Sequence, residues 1–259
     1  MQVRERIGGV IGHVLAPLVA AVSRFRRART FHPRGITFLG RVEAIIGGAV
    51  RHGADQGAFA NLGADLAGQV LVRCSGALWK KPREHFDVLG MALRFRQGLE
   101  PFDEHARAGD QDLLFATIRS PFTMVFSPFT TNAHDFLANE FFAVAPFEIH
   151  GHDRAELRLV ALEPPAGDGP RNERLRTAVA AGRCVWHLEA RKTLTRTWHA
   201  VARVVFEREI ELDQEALRFD AFRTRDTLIP VGVVHSIRRA VYASSQHARP
   251  SHARRRDAV

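Results

Sequence analysis

The chain has 259 residues, of which 46% are hydrophobic and 25% are charged, and these proportions predict one soluble globular domain, alone or with an appended segment. Two cysteines with no Cys-x-x-Cys spacing argue against a disulfide scaffold or a zinc cluster and favour a reducing compartment, so we expect a cytoplasmic protein. The net charge of +9 could attract nucleic acid, but the single tyrosine and three tryptophans are not interleaved with the arginine runs as a base-stacking surface requires, so we expect no nucleic-acid partner.

The first predicted element is an amphipathic helical segment over residues 1–28. Its apolar run, residues 7–22, is interrupted by glycines and by Pro17 and is too short to span a membrane as a helix. We expect this segment to pack on the rest of the chain or on a partner. Arginines on both flanks leave weak peripheral contact with a membrane open as a second interpretation.

Alternating apolar residues predict strands through most of the chain, with a few helices between them. In the first half we predict a short helix at 53–68, a surface loop at 98–110, and strands at 36–46, 69–75, 88–97 and 113–118. In the second half we predict helices at 132–142 and 172–192, and strands at 156–162, 198–212 and 216–222. Antiparallel strands with helices at their ends indicate an α+β fold.

One predicted strand has two distinct faces. Cys74 lies between Arg73 and Ser75, and because side chains alternate along a strand, the thiol points to the opposite face from its two neighbours. We interpret Cys74, and also Cys184, as buried structural thiols.

The last predicted element is a helix that carries the only tyrosine of the chain, Tyr242. Residues 234–249 contain neither Gly nor Pro, and Arg238 and Arg249 stand four before and seven after the tyrosine, which places all three on one helix face. Guanidinium groups stabilise the phenolate form of a tyrosine, and phenolate is an axial iron ligand in haem proteins. The same spacing occurs on solvated helix faces, so residues elsewhere in the chain are needed to indicate a haem site.

Short motifs in a fixed order provide these further residues. Four of them precede the tyrosine helix: Arg29-Thr30-Phe31-His32-Pro33-Arg34-Gly35 followed by Gly40 and Glu43, Val72-Arg73-Cys74-Ser75, Asp87-Val88-Leu89-Gly90-Met91-Ala92-Leu93-Arg94-Phe95, and Asp112-Leu113-Leu114. This order over residues 29–249 resembles the catalase superfamily, and more narrowly its small catalase-related members. The resemblance implies a haem-binding domain at 29–249, built as a closed antiparallel β-barrel (a catalase-like core) with flanking helices and a C-terminal haem-proximal helix. Residues 250–259 would form a basic tail.

The resemblance implies a haem cofactor, iron protoporphyrin, with Tyr242 as the ligand of the metal. Arg238 would hold the tyrosine as phenolate through a charge-assisted hydrogen bond. The other implied cofactor contacts are arginines that approach the haem propionates: Arg29, Arg73 and Arg249.

The resemblance also implies the catalytic residues. His32 would take a proton from the bound peroxide and return it to the departing oxygen, while Ser75 holds its imidazole by a hydrogen bond. The family places an asparagine shortly after its Asp-Leu-Val strand, where it positions the peroxide. Here the nearest polar residue is Thr117, which has a shorter reach and one donor proton. Phe136 would either cover the haem or belong to the core.

These residues lead us to expect a haem-dependent enzyme that decomposes hydrogen peroxide, or that uses or rearranges an organic hydroperoxide. The threonine in place of the asparagine puts fast dismutation of hydrogen peroxide in doubt and leaves peroxidase-like chemistry more open. The alternative is a haem-binding accessory protein with little or no turnover. A homo-oligomer is left open.

Overall fold

The computed structural model describes residues 35–45, 55–78, 84–120, 123–143, 146–149, 154–163, 167–225 and 227–231. Within them lie the strands β1 (Gly35–Ala44), β2 (Gly68–Gly76), β3 (Leu89–Arg96), β4 (Gln111–Ala116), β5 (Glu140–Ala143), β6 (Phe147–Ile149), β7 (Arg154–Ala161), β8 (Val185–Lys192), β9 (His199–Glu209) and β10 (Leu228–Pro230). The helices are α1 (Asp55–Leu66), α2 (Ser127–Thr130) and α3 (Arg171–Ala180), with a 3₁₀ turn at Met124–Phe126. None of these described helices has the length and hydropathy that crossing a membrane requires. The predicted segments 1–28, 234–249 and 250–259 lie outside the described residues.

Eight of the strands close into a barrel. Going around it, the order is β1, β2, β3, β4, β5, β7, β8, β9 and back to β1, and each neighbouring pair is antiparallel. β6 pairs with the start of β7, and β10 pairs with β6, so these two short strands extend the wall beside β7. The closed antiparallel barrel that the resemblance implied is therefore present.

The interior of the barrel is apolar because side chains alternate between the inner and the outer face along each strand, and the inward-facing ones are apolar. In β2, Val70, Val72 and Cys74 belong to the core, while Arg73 and Ser75 lie on the outer face. The prediction that Cys74 is a buried thiol is confirmed. Aromatic rings fill the centre: the Trp186 ring stacks on Phe206 at 6.1 Å between centroids, and Phe206 stacks on Phe38 at 5.8 Å.

Of the two helices predicted in the second half of the chain, the one at 132–142 is wrong and the one at 172–192 is present only in its first part. Residues 132–142 form turns that lead into β5, because Asn and Asp side chains here bond to the local backbone and compete with helical hydrogen bonds: Asn139 Nδ2 donates to the Asn132 carbonyl, and Asp135 Oδ1 accepts from the Leu137 N–H. The helix predicted at 172–192 ends at Ala180.

Gly182, at φ 67°, follows that end and provides a left-handed residue at which the chain can leave the helix. The last eight residues of the predicted helix, Val185–Lys192, instead form β8, which is bonded to β7 on one side and to β9 on the other. Burial between two strands outweighs the helix propensity of Leu, Glu, Ala, Arg and Lys in this stretch.

The strand predicted at 216–222 is also absent. These residues belong to a segment, 210–225, that we call the strap, which crosses the outer face of β1 to β4. It starts at Ile210, whose N–H bonds to the Thr37 carbonyl on β1. Midway, Leu217 packs with Leu71 and Phe102 in a second, smaller apolar cluster. The side chains of the strap therefore find partners on the barrel wall, and these replace pairing with another strand.

Candidate functional site

The candidate site lies on the outer face of β1 to β4, at the end that the strap leaves uncrossed. Gly35 pairs with Ser75, Ser75 pairs with Gly90, and Gly90 pairs with Ala116. Directly paired residues of antiparallel strands point to the same face, so these four form one transverse row, which we call the site row. Two glycines and an alanine leave Ser75 as the only polar side chain in this row.

Arg73 occupies the next row and leans over the site row. Its Nη1 donates to Ser75 Oγ at 3.2 Å, and its Nε donates to Oε1 of Gln214 in the strap at 2.8 Å. A Cβ atom placed on Gly35 would lie 2.8 Å from Cζ of Arg73, so the guanidinium fits because residue 35 has no side chain. Burial lowers the pKa of Arg73, an effect that the nearby Cys74 partly opposes.

Thr117 lies two strands away from Ser75, one residue beyond the site row. Its hydroxyl accepts the Leu89 N–H at 3.1 Å and shares a 2.7 Å hydrogen bond with the hydroxyl of Thr131. These bonds attach the loop after β4 to the start of β3. Arg73 and Ser75 are hydrogen-bonded to each other, whereas Thr117 bonds to Leu89 and Thr131 and not to either of them.

The acidic residues of the sequence motifs have structural contacts. Asp87 Oδ1 accepts the backbone N–H groups of Ala77, Leu78 and Val88 at 2.8 to 3.0 Å, which shapes the connection between β2 and β3 beside the site row. Asp112 pairs with Arg94, its cross-strand neighbour. Phe136 is buried in the core and stacks on Phe141, so the core interpretation of this residue is the one the structure supports.

Gln214 is a site residue that no sequence motif indicated. It is 141 residues from Arg73 and belongs to no motif, so only the path of the strap reveals the contact. Five predicted site residues lie outside the described part of the chain: Arg29, His32, Arg238, Tyr242 and Arg249.

The site row consists of small residues, of which Ser75 and Gly90 are buried. The guanidinium of Arg73 lies at its border and donates to the hydroxyl of Ser75. In the described part of the chain, no three His, Cys, Asp or Glu side chains are grouped so that they could hold a metal ion. No protein-family model and no curated protein matches this chain.

Proposed function

We propose that this protein is a haem-dependent, peroxide-metabolising enzyme of the catalase type, acting on hydrogen peroxide or on an organic hydroperoxide. One observation carries the proposal. Motif residues that are far apart in the sequence converge on the outer face of four adjacent strands, with Gly35, Ser75 and Gly90 side by side and Arg73 against them.

The contact between Arg94 and Asp112 adds to this support. The two residues come from separate motifs of the resemblance, and they form an ion pair on neighbouring strands. Their pairing gives a structural reason why both motifs, one with Arg94 and one with Asp112, occur in the same chain.

Chain connectivity limits how far the proposed acid–base residue can lie from Gly35. His32 precedes Gly35 by three residues, and three residues of extended chain span at most about 10 Å. Gly35 is the cross-strand partner of Ser75, so the length of chain alone permits a hydrogen bond between Ser75 Oγ and the His32 imidazole.

In the proposed mechanism the protein supplies charges and proton transfer. A bound haem would supply an iron centre for peroxide chemistry, and Tyr242 is the residue that would hold the iron as phenolate. His32 would remove the peroxide proton and return it to the departing oxygen, with Ser75 fixing the orientation of the imidazole. Arg73 would balance a propionate charge at the border of the site row, and Arg238 would keep Tyr242 deprotonated.

A second candidate, a haem-binding accessory protein without turnover, is favoured by one specific contact. The hydroxyl of Thr117 is already bonded to Thr131 and to the Leu89 N–H, so it is less free to position a peroxide than the asparagine of the family. Binding of haem would then be the whole function.

A visible spectrum after haem reconstitution tests both candidates, because a protein without a Soret band is neither. Oxygen release from hydrogen peroxide, and loss of a fatty-acid hydroperoxide, then separate the enzyme from the accessory protein. For the enzyme we expect His32→Ala to keep the Soret band and lose turnover by about 100-fold or more. Tyr242→Phe should shift the spectrum or weaken haem binding.

Ser75→Ala tests the described half of the site. We expect slower turnover with haem retained, since the change removes only the hydroxyl that orients the imidazole. Ser127→Ala is the matched control, because this buried serine at the start of α2 donates to the Thr123 carbonyl and lies outside the site row. Equal turnover in Ser75→Ala and Ser127→Ala would contradict the role of Ser75.

A further inference from the structure

A pocket of about 240 Å³ lies at the opposite end of the barrel from the site row. β3 begins at Leu89, beside the site row, and ends at Arg96, which lines the pocket. Gly90 of the site row and Arg96 are six positions apart on this strand, or about 20 Å at the rise of a β-strand. The pocket is therefore separate from the site row.

A tight turn forms one wall of the pocket. The Asp110 N–H bonds to the Arg107 carbonyl at 3.2 Å, which closes a four-residue turn over residues 107–110. Gly109 is the third residue of this turn and has a φ of 84°, a conformation that favours glycine. The Arg107 N–H also bonds to the Asp110 carboxylate at 2.8 Å. The turn thus fixes the backbone from which the Arg107 side chain lines the pocket.

Three arginines line the pocket, and the first of them is fully engaged by the protein. Nε and Nη2 of Arg96 donate to the two carboxylate oxygens of Asp110 at 2.8 and 2.7 Å, and Nη1 donates to the Pro101 carbonyl at 2.8 Å. Both members of this ion pair are buried. Together Arg96 and Asp110 therefore add no net charge to the pocket.

Arg225, at the end of the strap, is held in a different way. Its Nε, Nη2 and Nη1 each donate to a backbone carbonyl, those of Gly109 at 2.6 Å, Phe95 at 3.2 Å and Asp65. These acceptors are neutral, and in the described part of the chain no carboxylate forms an ion pair with this guanidinium. Burial lowers the pKa of Arg225, and the charges of Asp110 and Asp65 oppose this effect from beyond bonding distance. A guanidinium has five N–H groups, so two remain for a further acceptor.

Arg107, the third arginine, lies at the mouth of the pocket and already binds an oxyanion of the chain itself. Its Nη1 donates to the carboxylate of Glu100, and its Nη2 is 3.6 Å from the carboxylate of Asp103. The side chains of Arg107 and Glu100 are 39% and 64% exposed. Water screens an ion pair that is this exposed, so an anion from solution can compete with Glu100 for the guanidinium.

We propose that this pocket binds a small oxyanion, the phosphate or carboxylate group of a small molecule, between Arg225 and Arg107. The planar fork of a guanidinium matches both groups. The carbonyls around Arg225 orient its side chain without balancing its charge, and that charge attracts the ligand. Glu100 occupies Arg107 in the absence of the ligand and so weakens its binding. This site goes beyond the proposed enzymatic function and does not depend on it.

Titration calorimetry of the full-length protein with inorganic phosphate, and separately with succinate, tests the proposal at constant ionic strength. We expect both probes to bind, and the tighter one identifies the group that the pocket prefers. Arg107→Gln should weaken binding by about tenfold, because a charge-assisted hydrogen bond is lost. Glu100→Gln should tighten binding by about threefold, because the competing carboxylate is removed. Arg225→Gln should reduce binding by more than Arg107→Gln does.

Arg176→Gln and Glu209→Gln are the matched controls, because these two residues form an exposed ion pair between α3 and β9, outside the pocket lining. They change the net charge by the same amounts as the two variants at Arg107 and Glu100. Circular dichroism and thermal melting verify folding, and Arg107→Gln and Glu100→Gln decide the outcome if Arg225→Gln does not fold.

The absence of binding by either probe up to about 10 mM overturns the proposal. Equal changes in the pocket variants and in the control variants also overturn it, since they would show a response to net charge alone. Haem is left out of every titration, so failure here leaves the proposed enzymatic function standing, and a protein that binds no haem leaves this test intact.

Discussion

Arg94 and Asp112 form a bidentate ion pair that is fully buried beneath the strap. Nε of Arg94 donates to Oδ1 of Asp112 at 2.8 Å, and Nη2 donates to Oδ2 at 3.1 Å. Asp112 also accepts the backbone N–H of Asp220 at 2.9 Å and a hydrogen bond from Arg223. Nη2 of Arg94 also donates to the Arg218 carbonyl of the strap. Both members of the pair therefore join the barrel wall to the strap, and Asp112 is the shared anion of Arg94 and Arg223.

Because Asp112 is the anion of two arginines and Arg94 is only one of them, substitutions of the two residues should have unequal effects. Asp112→Asn should lower the free energy of unfolding by about 3–5 kcal/mol, because it leaves buried guanidinium charge without its anion. Arg94→Met should cost less, since Arg223 and the Asp220 N–H still pair with the carboxylate. Denaturant unfolding of both variants measures the difference. An equal or larger loss in Arg94→Met would show that Asp112 is not the centre of the network.

Asp110 predicts a loss of stability in acid. Burial raises the pKa of this carboxyl, but hydrogen bonds from Arg96 and from the Arg107 N–H, with the charges of Arg96 and Arg94, outweigh it and lower the pKa below its ordinary value. A group whose pKa is lower in the folded state stabilises the protein above its unfolded pKa, about 3.9 for Asp, and loses this effect as pH falls through the folded pKa.

We therefore expect the free energy of unfolding to fall below about pH 4 in the wild type and to fall less steeply in Asp110→Asn. The variant should also be less stable by at least about 2 kcal/mol at pH 7, because Arg96 loses its anion. Asp168→Asn, at an exposed position, is the control. Parallel pH profiles for wild type and Asp110→Asn would exclude Asp110 as the titrating group.

A side chain at position 40 would test how closely β1 and β9 approach each other. A Cβ atom on Gly40 would lie 2.0 Å from the Val205 carbonyl oxygen, at the point where the register of β1 and β9 shifts. A backbone atom cannot move aside as a flexible side chain can, so Gly40→Ala should cost about 3 kcal/mol in denaturant unfolding. In Gly98→Ala the nearest atom is 4.0 Å away, and we expect little change. Equal stability of the two variants would mean that β1 and β9 are farther apart at Gly40.

The reactivity of the two cysteines tests whether their thiols are buried in the core. Burial raises the pKa of Cys74, and it raises the pKa of Cys184 to about 12 although Trp186 donates to the sulfur. The thiolate is the reactive form, so we expect a thiol reagent at pH 8 to label neither residue in the native protein and both in denaturant. Rapid labelling of one thiol under native conditions would contradict the burial of that side chain.

Local patterns were sufficient where a strand has one apolar face. The alternation around Cys74 predicted which side of β2 is buried, and β1 to β4 were predicted close to their observed bounds. Such patterns depend only on neighbours one or two positions away. They failed for β8, whose residues favour a helix until β7 and β9 are present on either side.

Periodicity and residue type along the chain thus decided which segments become strands, which side chains point outward, and that Arg73 and Ser75 share a face. The folded barrel alone decided that Gln214 reaches Arg73 and that Asp112 holds the strap. Both relationships join residues more than a hundred positions apart, and no local pattern encodes them. They arise because closing eight strands into one ring brings distant segments to the same end of the barrel.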